Sequence, residues 1–216
     1  MNQQGLIPWH PIVQDLLDEN LAEMCGKCIL QGEREMSGFF RLDYFFETQR
    51  KRPANQPPGE KPFGHAKRYN IVEYKSIHET LNVGMLQKYA GRAYLVGQRK
   101  PSLRMQGRLT TTILTTRLPT RLLKNRLYQP RQIEPWKYKF EGFPGLDMYL
   151  LVQRQMRGLK LGEPMAYLQA LEGDAKYREQ CWGAIISQEL PKHEILKRVM
   201  IKINREAYEP CTTTQG

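Results

Sequence analysis

Asp43, Glu73 and Lys75 are the residues of this 216-residue chain whose types and spacing could do chemistry together. Glu73 and Lys75 stand two apart in the β-prone run Tyr69-Asn70-Ile71-Val72-Glu73-Tyr74-Lys75. Side chains alternate along a strand, so this carboxylate and ammonium share one face, while Val72 and Tyr74 take the other. The E-x-K tripeptide is common, and alone it reads equally as a weak ion pair on an exposed edge. Asp43 changes the weighing. It falls 30 residues earlier, inside the aromatic run Phe39-Phe40-Arg41-Leu42-Asp43-Tyr44-Phe45-Phe46. Aspartate is unfavourable in a strand and calls for a reason. If the two runs pair as adjacent antiparallel strands, Asp43 comes beside Glu73. Two carboxylates held together repel, and one pKa rises unless a cation sits between them. Mg²⁺ (or Mn²⁺) takes oxygen ligands, keeps several waters, activates one of them and stabilises charge on a phosphodiester. The expectation is phosphodiester hydrolysis, with Asp43 and Glu73 as metal ligands and Lys75 orienting the water or neutralising the phosphate.

The elements that must position these residues are legible in outline. Apolar residues at Ile12, Val13, Leu16, Leu17 and Leu21 predict an amphipathic helix to Met24, with Pro11 at its start and Gly26 as its stop. Strands are predicted over Cys28–Gln31 and Phe39–Thr48, with a turn near Ser37-Gly38. Residues 49–68 hold several prolines and read as a basic loop. After the Tyr69–Lys75 strand come a helix over Thr80–Leu95, a strand over Leu109–Thr116 and a short helix from Leu118-Pro119 to Leu127. Residues 132–144 read as a hairpin or a loop, and Met148–Val152 as a further strand. Helices are expected over Met165–Leu171, Tyr177–Ile186 and Glu194–Tyr208, with a frayed tail from Thr212. This order predicts an α/β fold, a central mixed β-sheet flanked by helices. The division expected is a main domain over 1–190 and a C-terminal basic helix and tail over 191–216.

The net charge of +11 is unevenly placed. Eleven basic residues lie between Arg99 and Lys139, against the single acid Glu134. Such a segment fits a phosphate backbone, where cations release counterions, and fits a solvated basic face as well. Arg104, Arg108, Arg117, Arg121 and Lys124 are the candidates for nucleic-acid contact there. Arg50, Lys51 and Arg52 in the proline-rich loop join them. Four cysteines are too few and scattered for a disulfide framework. Cys25 and Cys28 form one CxxC, but no second CxxC or HxxxH completes a zinc site. No apolar run approaches membrane-spanning length and no signal peptide is evident, so no membrane association and a cytoplasmic location are expected.

An acid on one strand followed by E-x-K on the next resembles the PD-(D/E)XK nuclease superfamily, with Leu42 in place of the proline. The resemblance is closer to its recombination-promoting nuclease (Rpn)-like, transposase-related branch. It rests on Trp9-His10-Pro11, on Arg41-Leu42-Asp43, and above all on Tyr69-Asn70-Ile71-Val72-Glu73-Tyr74-Lys75-Ser76. Lys88-Tyr89, Tyr94-Leu95 and Thr116-Arg117-Leu118-Pro119 follow in order, so that it spans roughly residues 9 to 152. Ile77-His78-Glu79 departs from the pattern, which has proline after the serine. The resemblance implies a restriction-endonuclease-like core, an Mg²⁺-dependent endonuclease acting on DNA in recombination, transposition or defence, and a homodimer or larger assembly. It also implies a further acid from the first helix, for which Glu19 fits by offset from Trp9; Asp18, Glu23, Glu33 and Glu35 are alternatives. Gln87 and Lys88 are expected to line the cleft. His10 reads as a helix-start residue and His78 as a surface one. The rival expectation is an inactive nuclease fold serving as a DNA-binding or interaction subunit of a larger assembly.

Overall fold

The computed structural model describes residues 9–25, 29–33, 42–49, 61–75, 79–99 and 107–156, with Lys176 and Gln180 alone beyond them. The elements are α1 (Trp9–Cys25), β1 (Ile29–Glu33), β2 (Tyr44–Thr48), β3 (Tyr69–Lys75), α2 (Val83–Arg99) and β4 (Leu109–Thr115). They continue with a single-turn helix α3 (Thr120–Leu123), β5 (Pro130–Glu134), β6 (Lys137–Phe140) and β7 (Asp147–Val152). The strands form one seven-stranded sheet in the order β1-β2-β3-β4-β7-β6-β5. β3, β4 and β7 run parallel at its centre, and the antiparallel pairs β1–β2–β3 and β5–β6–β7 complete it on either side. The fold is α/β with a mixed sheet, as the order of elements predicts.

Each face of the sheet is covered for a reason visible in the residues. β3 and β4 are buried on both sides, with only Tyr69 partly exposed among their fourteen positions. The threonines of β4 suit this place, because their branched side chains fit a pleated surface as valine does. On one face Leu86, Tyr89, Ala90, Ala93 and Val96 of α2 meet Phe45, Ile71, Ile113, Leu150 and Val152. Burying each large apolar side chain there stabilises the fold by about 1.5–3 kcal/mol. On the other face Val13, Gln14 and Leu17 of α1 lie against Tyr44, Val72 and Tyr74. Two polar contacts fix α1 in that position. The Tyr44 hydroxyl donates to Asp18 Oδ1 at 2.6 Å, and Gln14 Nε2 donates to the Asp43 carbonyl at 2.7 Å. The turn after Lys61 continues the cover, with Phe63 N–H donating to the Met24 carbonyl at 3.0 Å. His65 there bonds the Thr112 hydroxyl at 2.8 Å and lies against the Tyr149 ring.

Several boundaries differ from expectation. Asp43 does not lie within a strand: β2 begins one residue later, at Tyr44. The helix expected to begin at Pro11 begins at Trp9, which leaves proline in the first turn, where its missing N–H is harmless. Residues 132–144 fall in the β5–β6 hairpin and the turn after it. The expected short helix to Leu127 divides into α3 and a 3-10 turn at Arg126–Tyr128. The turn near Ser37-Gly38, the helices after residue 157 and the separate unit 191–216 lie outside the described residues. No helix among the described residues is long and apolar enough to cross a membrane.

Candidate active site

The β2–β3 register pairs Tyr44 with Val72, so one further step sets Asp43 across from Glu73. Residues directly opposed in an antiparallel pair share a face. Phe45 and Ile71, the pair before, both face α2. The sheet thus brings Glu73 and Lys75 to its α2-facing side at the carboxyl end of β3, and Asp43, one residue before β2, near enough for its charge to act on Glu73. Asp43 leaves the ladder because its own carboxylate takes a main-chain donor: Tyr74 N–H donates to Asp43 Oδ2 at 2.8 Å. That bond fastens the acid to β3.

Glu73 is almost wholly enclosed, with 1% of its side chain exposed. Burial, followed by the negative charge of Asp43, pushes its carboxyl up to about 7, and Arg92 and Lys75 draw it down without cancelling the rise. Arg92 reaches back from α2, and its Nη1 alone lies 3.1 Å from Glu73 Oε1 and 3.0 Å from Oε2. Lys75 donates to Glu79 Oε1 at 2.7 Å. The Tyr89 ring lies under both cations, with Lys75 Nζ 5.8 Å and the Arg92 guanidinium carbon 5.7 Å from its centroid. Burial raises the Tyr89 hydroxyl far above its ordinary value, with Glu73, Asp43 and Glu79 adding to the rise, so it stays neutral.

Among the described residues no three of His, Cys, Asp or Glu come together as metal ligands. Two carboxylates nevertheless suit Mg²⁺, which is ordinarily held by one or two of them and completes its shell with water and substrate phosphate. Burial lifts Glu73 most, and the repulsion from Asp43 that adds to the rise is what a cation between the acids would relieve. Asp43 and Glu73 therefore fit such an ion.

The other sequence candidates fare unequally. The Gln87 amide donates to the Tyr128 hydroxyl at 2.8 Å, on the connection between α3 and β5. Glu19 lies on α1, but its side chain is outside the described residues, as are Arg50, Lys51, Arg52 and Arg104. Arg117 is exposed at the carboxyl end of β4, next to the strand that carries Lys75. Arg121 and Lys124 are exposed on the connection leaving that end. Arg108 lies apart from these three. It precedes β4 and so lies at the opposite end of a seven-residue strand, roughly 20 Å from Thr115. Two further cations of the basic segment are turned inward or paired. Lys137 is buried against Trp136 and Tyr149, and Lys139 faces Asp147 at 3.5 Å.

Arg92 and Glu79 are the site residues that sequence reasoning passed over. Arg92 had a signal: it stands three residues after Tyr89, on the buried stripe of α2, where a cation needs an acid opposite. No protein-family model, no curated protein and no solved structure matches this chain.

Proposed function

We propose that the chain is a metal-dependent nuclease with a PD-(D/E)XK-type, restriction-endonuclease-like core, hydrolysing DNA phosphodiester bonds. The observation that carries this reading is the approach of Asp43, just before β2, to Glu73 on the adjacent antiparallel strand, with Lys75 on the face of Glu73. Asp43 and Glu73 would hold Mg²⁺ or Mn²⁺, which when bound lowers the pKa of a water and offsets phosphate charge. Lys75 is placed to hydrogen-bond that water or a phosphate oxygen. Glu79 and the Tyr89 ring limit where its ammonium can go. Arg117, Arg121 and Lys124 supply phosphate contacts at the same end of the sheet, as positioning groups without sequence readout.

A second reading has an observation in its favour. Glu73 and Lys75 already have protein partners in Arg92 and Glu79, as a purely structural polar cluster would. On that reading the chain is an inactive nuclease-fold subunit that binds DNA or another protein.

Nicking of supercoiled plasmid with Mg²⁺ or Mn²⁺, beside the Lys75→Ala protein, separates the two. The nuclease reading expects metal-dependent nicking by the unaltered chain. It expects none by Lys75→Ala, whose DNA binding by fluorescence anisotropy stays within about threefold, since a single charge contributes little of a multi-contact interface. Equal nicking by both proteins sinks the assignment of the site to Lys75, and none by either while DNA still binds favours the subunit reading.

A further inference from the structure

We propose that Arg92 is the resident counter-ion of the metal site: it occupies the face of Glu73 that would chelate a divalent cation, and gives that face up when the cation binds. This rests on the metal-dependent reading above.

The geometry of the pair points this way. An arginine that serves only to clamp a carboxylate ordinarily presents two nitrogens, one to each oxygen. Here Nη1 alone meets both oxygens, at 3.1 and 3.0 Å. A single positive pole held against both carboxylate oxygens stands where a cation bound by Glu73 would have to approach. Arg92 and such an ion compete for one place and one charge.

Exposure sets which partner can move. The Arg92 side chain is 18% exposed and Glu73 1%, so the arginine stands at the boundary while the acid is fixed inside. The guanidinium also has a second attraction ready, since its carbon already lies 5.7 Å from the Tyr89 ring centroid. A cation displaced from the carboxylate keeps that ring as a partner. The charge balance agrees. Asp43, Glu73 and Glu79 face Arg92 and Lys75, three acids against two cations, which is tolerable without metal. With a divalent ion added and Arg92 still in place, two like charges would meet on one carboxylate.

The test is direct Mn²⁺ binding without DNA, by calorimetry at pH 8, on the unaltered chain, Arg92→Gln and Asp43→Asn. The proposal expects Arg92→Gln to bind Mn²⁺ about tenfold more tightly, because a competing charge at contact distance is gone. Unchanged or weaker binding by Arg92→Gln overturns it, while leaving the metal site itself standing. If the unaltered chain binds no Mn²⁺, or Asp43→Asn binds it equally well, the metal-dependent reading falls and the proposal with it. A measurement on the unaltered chain guards against a variant that does not fold. The ¹⁵N resonance of the Arg92 guanidinium shifts, and its protons exchange faster, when Mg²⁺ is added. A resonance that stays in place while Mg²⁺ binds overturns the proposal.

Discussion

Replacing Glu73 by glutamine keeps the shape of the side chain and removes its charge, which isolates what that charge costs. Burial first, and Asp43 second, lift the carboxyl from its ordinary 4.5 to about 7 in the folded chain. A carboxyl that holds its proton more tightly when folded favours the folded state while it is protonated. Its contribution is full below pH 4.5 and is lost as pH rises through 7. The whole shift corresponds to roughly 3 kcal/mol, of which about 2.5 kcal/mol falls between pH 5 and pH 8. Other groups titrate over that range too, so the quantity to follow is the difference between the two proteins. Urea unfolding of the unaltered chain and of Glu73→Gln, at several values from pH 5 to pH 8, gives it. The unaltered chain should lose about 2.5 kcal/mol relative to the variant across that span. Mg²⁺ at pH 8 should return part of the loss to the unaltered chain alone, because it binds the ionised folded form. Two stability curves that stay parallel to within about 1 kcal/mol, the spread ordinary surface titrations leave, would refute the argument that Glu73 is held at the cost of its charge.

Two other outcomes follow from positions on the sheet. Arg117→Ala should weaken DNA binding and lower the slope of log affinity against log salt by about 1, as loss of one phosphate contact does. Arg108→Ala, at the far end of β4, should change neither; equal effects from both would remove the one-ended phosphate path. Gly142→Ala should destabilise the fold by about 1–3 kcal/mol in urea, the usual cost of overpacking. A Cβ there would come within 2.6 Å of the Leu127 carbonyl oxygen and 2.8 Å of Tyr128 Cα, and main-chain atoms yield little. An unchanged midpoint would show that the turn relaxes freely.

The sequence made the central strands legible because their pattern is local. Tyr69–Lys75 matches β3 residue for residue, and Leu109–Thr116 and Met148–Val152 come within one residue of β4 and β7. Branched and aromatic runs closed by polar turns suffice for that. The face shared by Glu73 and Lys75 was legible for the same reason, since alternation needs no partner. Asp43 was half legible. Its approach to Glu73 follows from antiparallel pairing, but the aromatic run gave no hint that β2 stops short of it. The cause is a contact across strands, the Tyr74 N–H that its carboxylate takes. Arg92 and Gln87 show the same limit. Nothing local says which turn of α2 crosses Glu73, so Arg92 carries no role in the sequence reading, and nothing local shows that the Gln87 amide bonds the Tyr128 hydroxyl. The layout of the basic segment was not legible, because composition carries no direction. Its members are divided between opposite ends of one strand, and Lys137 is enclosed.

Stability alone accounts poorly for charges in this place. Exchanging a buried ion pair for packed apolar residues is often neutral, or stabilising by about 1–4 kcal/mol, because ions lose water on burial. Apolar residues at positions 73 and 92 would serve the α2–β3 contact as Ile71 and Ala93 do. A structural pair would gain nothing from a like charge beside it, yet Asp43 is fastened to β3 by a main-chain hydrogen bond and raises the cost of ionising Glu73. The position of the charges is as telling as their presence. On the α2-facing side of β3 the side chains are apolar at Ile71 and charged at Glu73 and Lys75, toward the carboxyl end of a parallel pair, where open α/β sheets place their ligands. A chain arranged for rigidity would have no use for that gradient. An acid pair under repulsion, with a lysine beside it and exposed arginine at the next strand end, is the arrangement on which the proposed metal-dependent reading rests.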